Sequence, residues 1–167
     1  MKRALFILFM LSGLLFVGHF ALSPANALSP RVATEEFTVK GGNDWVTTGL
    51  YVTPHDRVTI IAEGEVCFST GSHRDSCVGP EGMPQERYRD LFHGDADTCS
   101  DPYSHSSHAA LIGKLHGGYP FRFGIGSSKT FTGKRGTVML RVNDCTLINN
   151  SGEFTVTVTV EYDAWED

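Results

Sequence analysis

An all-β fold, a compact antiparallel β-sandwich, is predicted by three features of the chain. The run EFTVTVTVEY, residues 153–162, alternates without a break: Phe154, Val156, Val158, Val160 and Tyr162 fall on one side, Thr155, Thr157, Thr159 and Glu161 on the other. Successive strand side chains point to opposite faces, so this is the pattern of a half-buried antiparallel strand. DRVTIIAEG (56–64) and GTVMLRVND (136–144) are likewise β-branched and mostly alternating, which suits a pleated surface. Finally, no helical periodicity is convincing, and short apolar runs punctuated by Gly, Pro and Asp have the spacing of a sandwich or small barrel.

From the N-terminus, MKRALFILFMLSGLLFVGHFALSPANA begins with Lys2 and Arg3, continues through an apolar run from Ala4 to Val17 and closes on Ala25-Asn26-Ala27. A basic start, an apolar middle and a small-x-small end describe a secretory signal peptide, 1–27, cut after Ala27. The run is short for the about 30 Å of a bilayer interior, so membrane insertion is not expected. Residues 28–167 then form a single domain with enough chain for its own core. Cleavage removes two of the 14 basic residues and none of the 19 acidic ones, deepening the net charge of −5. An acidic secreted domain without a polybasic cluster is a poor partner for nucleic acid or an anionic membrane.

The shorter runs DWVTTGLYV (44–52), HAALIGKL (108–115) and PFRFGIG (120–126) are further strand candidates. Between them, residues 69–107 are rich in Gly, Pro, Asp and His. A loop of that length is usually functional or cross-linked. Secretion allows disulfides, and the 4 cysteines, Cys67, Cys77, Cys99 and Cys145, admit three pairings. Cys99, Asp101, His105 and His108 offer zinc-type donors, but their spacing matches no familiar zinc pattern, and the cysteines are read as bridges. No nucleophile elbow, phosphate loop, HExxH or EF-hand sequence occurs. Asp144 and Glu153 form an acidic pair with nothing local to raise either pKa, so no enzyme activity is expected.

The connection VNDCTLINNSGEF (142–154) gathers one aspartate and three asparagines between two strands. Ca²⁺ takes six to eight oxygens from carboxylates, amides, carbonyls and water. Asp144, Asn149 and Asn150 supply such oxygens on a short loop, and Gly152 eases the exit into the last strand. The competing reading is an ordinary turn, since Asn and Asp bond their own backbone and tolerate left-handed conformations.

The stretches WVTTGLYVTPHDRVTIIAEGEV, GPEG (79–82), AALIGKL, VND and NNSGEFTVTV, spread over residues 44–160, resemble the PA-IL-like family of soluble bacterial galactose-binding lectins. The resemblance implies a galactose-binding-domain-like β-sandwich with Ca²⁺ at the sugar site. Carried over residue by residue, it implies Asp144, Asn149 and Asn150 as side-chain ligands, with backbone carbonyls from Phe68 and Thr146. Thr146 is counted back from Asn149, because the span after the aspartate is shorter here than in the family. Sugar contacts would come from Asp144, Asn149 and Asn150, and from Glu86 and Arg89, which stand where the family carries a His and a Gln. In the family geometry Phe68 and Asp144 hold one ion, which implies bridges Cys67–Cys145 and Cys77–Cys99.

Two functions follow as expectations. One is a secreted or periplasmic calcium-dependent lectin whose partner is a galactose-like sugar or other glycan, with homo-oligomers compatible with such a domain. The other is a structural or protein-binding sandwich in which the Asp/Asn loop only stiffens a turn.

Overall fold

The computed structural model describes residues 31–68, 76–92, 100–118 and 121–163; the expected signal peptide and Cys99 lie outside them. Among the described residues nine strands, here numbered in chain order, form two antiparallel sheets. The first contains β1 (Arg31–Lys40), β9 (Ser151–Tyr162), β3 (Arg57–Cys67) and β4 (Cys77–Val78), in that order, with β7 (Ser128–Phe131) also paired to β3. The second runs β2 (Val46–Val52), β8 (Gly136–Val142), β5 (Leu111–His116) and β6 (Phe121–Gly124).

The alternation read in the sequence decides which faces meet. In β9, Phe154, Val156, Val158 and Val160 are fully buried, while Thr155, Thr157 and Thr159 are half-buried on the other face. Each inward residue lies opposite a partner on both sides; Val158, for example, pairs with Glu35 of β1 and Ile60 of β3. Val58, Ile60, Ala62 and Val66 of β3 continue that surface, and Leu50, Val52, Val138, Leu140, Val142, Leu111 and Phe123 of the second sheet close the core over it. Two inner faces interdigitating in this way make a β-sandwich.

Besides the short strands β4 and β7, which the sequence reading did not propose, three features depart from expectation. β1 was not anticipated: adjacent Glu35 and Glu36 interrupt its apolar signal, and the strand is held by its ten-residue register with β9. A helix, α1 (Gln85–Phe92), stands within the 69–107 stretch read as loop. It starts after Pro84, whose carbonyl accepts the Tyr88 N–H at 3.0 Å; its apolar positions are Tyr88, Leu91 and Phe92, and eight residues are too few for a helical period to stand out in the sequence. Glu86 in the first turn and Arg89 in the last suit the helix dipole.

The third departure is the disulfide pattern. Cys67 is bonded to Cys77, not to Cys145. Phe68 continues the inward series of Val58, Ile60 and Val66, so Cys67, one residue earlier, faces the opposite way. On that side the antiparallel register of β3 and β4 sets Cys77 directly across from it. The expected pairings Cys67–Cys145 and Cys77–Cys99 are therefore both overturned. Cys145 is itself disulfide-bonded.

Candidate functional site

The loop between β8 and β9 begins with two fully buried polar residues, Asn143 and Asp144. Burying such groups is costly unless they are bonded, and Asn143 is bonded throughout. Its Oδ1 accepts the Tyr103 N–H at 2.9 Å, and its Nδ2 donates to the carbonyls of Tyr103 and Ser107, both at 3.0 Å. Its main chain exchanges bonds with Ala109 and Ala110. Asn143 thus pins the 103–110 segment to the end of β8, which carries His108 to Asp144.

GPEG works from the other side of the same segment. Gly79 and Gly82 close a turn, the Pro80 carbonyl accepts the Leu111 N–H at 2.8 Å, and Met83 and His108 exchange two backbone bonds. Gly82 has φ +71, and a Cβ there would meet Ala110 N and the His108 carbonyl, so glycine is required on both counts.

Asp144 is 1% exposed. Its Oδ1 accepts the Thr146 N–H at 2.7 Å, and its Oδ2 lies 3.7 Å from His108 Nε2. The other His108 nitrogen, Nδ1, is 3.1 Å from Asp101 Oδ1. The imidazole is stacked on Tyr88 of α1, centroids 4.1 Å apart, and meets the Phe68 ring edge-on at 4.6 Å. Phe68 and Asp144, distant in sequence, are therefore brought to the two sides of one histidine. Burial pushes the Asp144 carboxyl above the usual carboxylate range; the Thr146 amide, His108 and the Asn150 side chain pull it down, and Asp101 raises it again.

Leu147–Asn149 form a single 3₁₀ turn, closed by the Asn150 N–H on the Leu147 carbonyl at 3.1 Å. Asn149 is half-buried within it. The Asn150 amide donates from Nδ2 to the Gly41 carbonyl at 3.3 Å, whereas its Oδ1 is buried without a hydrogen-bond partner. An acceptor left bare beside a buried carboxylate is what a hard cation would satisfy. Gly152 has φ +76, as the exit into β9 requires, and a Cβ there would collide with the Glu65 carbonyl.

Asp144, Thr146, Asn149 and Asn150 thus share one short loop, and Phe68 reaches them through His108. Glu86 and Arg89 are exposed on α1, on either side of the buried Tyr88. The zinc set of Cys99, Asp101, His105 and His108 is not assembled among the described residues: His105 is exposed against Tyr103, and Cys99 lies outside them. The sequence reading named Asp101 and His108 only as zinc-type donors and set them aside; what it missed is their place beside Asp144. One oxygen of Asp101 and one of Asp144 lie within 4.8 Å, so two carboxylates face this corner; the neighbouring Cys145 sulfur is disulfide-bonded and offers no thiolate. The signal available was a buried-segment pattern, HAAL, directly following an acidic and His-rich run.

Fold and loop together define a two-sheet sandwich with a carboxylate and amide cluster at one end. No protein-family model matches the sequence, and no curated protein does. Among solved structures, the chain is similar to the EclA N-terminal domain, described as a PllA-like lectin, at 24% identity and a TM-score of 0.53, over 75% of this chain and 95% of that one. At that identity the likeness shows a shared fold.

Proposed function

We propose that this chain is a secreted or periplasmic calcium-dependent carbohydrate-binding protein without enzymatic activity. The observation that carries the reading is the buried Asp144 carboxylate beside the bare Asn150 Oδ1 on one loop, in a chain that shares its fold with a lectin domain. The residues that would hold the ion are Asp144, Asn149 and Asn150 through side chains and Phe68 and Thr146 through carbonyls. Bound calcium would supply coordination positions that neutral vicinal hydroxyls can fill. Glu86 and Arg89 on α1 would then set which sugar is accepted, galactose or another. The Cys67–Cys77 bridge and the signal-like N-terminus support an oxidising compartment.

Isothermal titration with galactose and a panel of monosaccharides, in calcium and then in EDTA, tests this. Binding is expected in calcium, none in EDTA, and recovery on re-addition. Full-strength binding in EDTA would sink the mechanism, and no binding to any glycan in calcium would favour the stiffened-turn module. Calcium alone should raise the melting temperature, and sugar should raise it further only if both bind the native state.

A second expectation concerns His108, which orients Asp144 without being a proposed ligand. His108→Phe keeps a ring between Phe68 and Tyr88 but removes both nitrogen contacts. Outer-shell partners typically carry about 10–100-fold in metal affinity, so calcium binding should weaken by that order while the melting temperature in EDTA moves little. An unchanged calcium affinity would show that His108 only fills space.

A further inference from the structure

The outer face of the second sheet carries an arrangement that the fold does not need. Lys114 of β5 and Arg122 of β6 stand directly opposite each other in the ladder, and like charges in that relation are destabilising. Arg141, one strand further on β8, faces the same side. The Trp45 indole lies between them, 4.2 Å from Lys114 Nζ and 5.9 Å from the Arg141 guanidinium, so a cation–π contact fixes the ammonium in place. Arg122 and Arg141 donate to neutral carbonyls, those of Pro102 at 2.7 Å and Asp144 at 2.9 Å. The Pro102 carbonyl is neutral and so does not offset the charge of Arg122. Among the described residues, the acid that stands against the three cations is Asp44, bonded to Arg141 at 3.0 Å and itself 77% exposed. Burial holds the Lys114 ammonium below its ordinary range; Asp44 opposes this, and Arg122 and Arg141 add to it. Beside Lys114 and Arg122, a depression of about 210 Å³ is walled by His116 and Phe121. All this sits on a chain with 19 acidic and 14 basic residues.

The face is continuous with the candidate site. Arg141 bonds the Asp144 carbonyl with one nitrogen and Asp44 with the other, and the Asp44–Trp45 segment leaves the same turn whose Gly41 carbonyl binds Asn150. Lys114 lies opposite Met139 in the register. From Met139 to the end of β8 at Val142 the strand spans about 10 Å at about 3.4 Å per residue before the chain turns at Asn143 into the Asp144 loop, within the reach of a short oligosaccharide.

We infer that the Trp45–Lys114–Arg122 face is a second glycan subsite, taking a sulfate or carboxylate substituent of the oligosaccharide whose neutral hydroxyls are held at the Asp144 loop. This rests on the carbohydrate-binding reading above and names its substrate class as acidic glycans. Specificity comes from anion pairing with Lys114 and Arg122.

The test is isothermal titration with matched neutral and sulfated oligosaccharides in calcium, at low and at high salt, on the wild-type chain and on Lys114→Gln/Arg122→Gln. The wild type should bind the sulfated ligand about tenfold tighter or more, with the difference shrinking in salt as screening requires. The double variant should lose that preference while keeping its neutral-sugar and calcium affinities and a melting temperature no lower than wild type. Neutral binding with no sulfate preference, or a preference that survives the substitutions, overturns the subsite and leaves the lectin reading standing. Sulfated binding that is indifferent to EDTA but lost in the double variant supports the anion site and sinks the calcium mechanism. No binding of either ligand sinks both. Inorganic sulfate is the control for a free anion; competition equal to that of the sulfated glycan would overturn glycan recognition.

Discussion

Asp144→Ala should abolish calcium binding and, with it, sugar binding. Asp144 is the carboxylate of the proposed ligand set and is almost fully enclosed, at 1% exposure. Its burial makes the charge costly on its own and pushes its carboxyl above the usual carboxylate range. A divalent cation reverses that cost, so the side chain couples most strongly to calcium of all the ligands. Asp101 has an oxygen within 4.8 Å of it and keeps some negative charge in the corner, but its carboxylate is turned to His108 Nδ1 at 3.1 Å. The loss should therefore exceed the about 10–100-fold carried by outer-shell partners. Asn150→Ala should be milder, since it removes one neutral oxygen. Asp144→Asn provides the control for folding: it retains an acceptor for the Thr146 N–H but carries no charge, so it should melt in EDTA no lower than wild type and still fail to bind calcium. Calcium affinity in Asp144→Asn within a few-fold of wild type would remove this loop from the mechanism.

The sequence showed the sheet but not all its contacts, and the reason is physical. β9, β3 and β8 were legible because local alternation fixes which side chains are inward, and the core they form is the one observed. The Asp144–Asn150 stretch was legible as a strand-to-strand connection because its aspartate and asparagines lie close together in the chain. His108 and Asp101 were not, because their place beside Asp144 depends on backbone bonds from Ala109 and Ala110 to Asn143, and no local pattern announces those. Ala109 even takes φ 57, a conformation that a non-glycine side chain disfavours and that the surrounding bonds must impose. The disulfide expectation failed for a related reason. Neighbours in the chain were taken as neighbours in space, whereas alternation sends Cys67 and Phe68 to opposite faces of one strand.

Val158→Asp should leave no folded protein, while Thr157→Asp, one residue away, should be tolerated. β9 is central in the first sheet, with β1 on one side and β3 on the other. Val158 is fully buried within the sandwich core, and its cross-strand neighbours are Glu35 and Ile60. A carboxylate at that place would have no cation to pair with among the core residues. An unpaired buried charge costs several kcal/mol even after relaxation, a large share of the about 5–15 kcal/mol that keeps a domain folded. Thr157 points the other way and is half-buried, between Glu36 and Ile61. An aspartate there would keep its water and meet one like charge, Glu36, directly opposite, a cost of about 0.2–1 kcal/mol. Urea unfolding of the purified variants, together with the yield of soluble disulfide-bonded protein, measures the contrast. Comparable damage from both substitutions would mean that the threonine face of β9 is covered as completely as the valine face, and the two-layer sandwich would have to be replaced by an arrangement with a third layer over it.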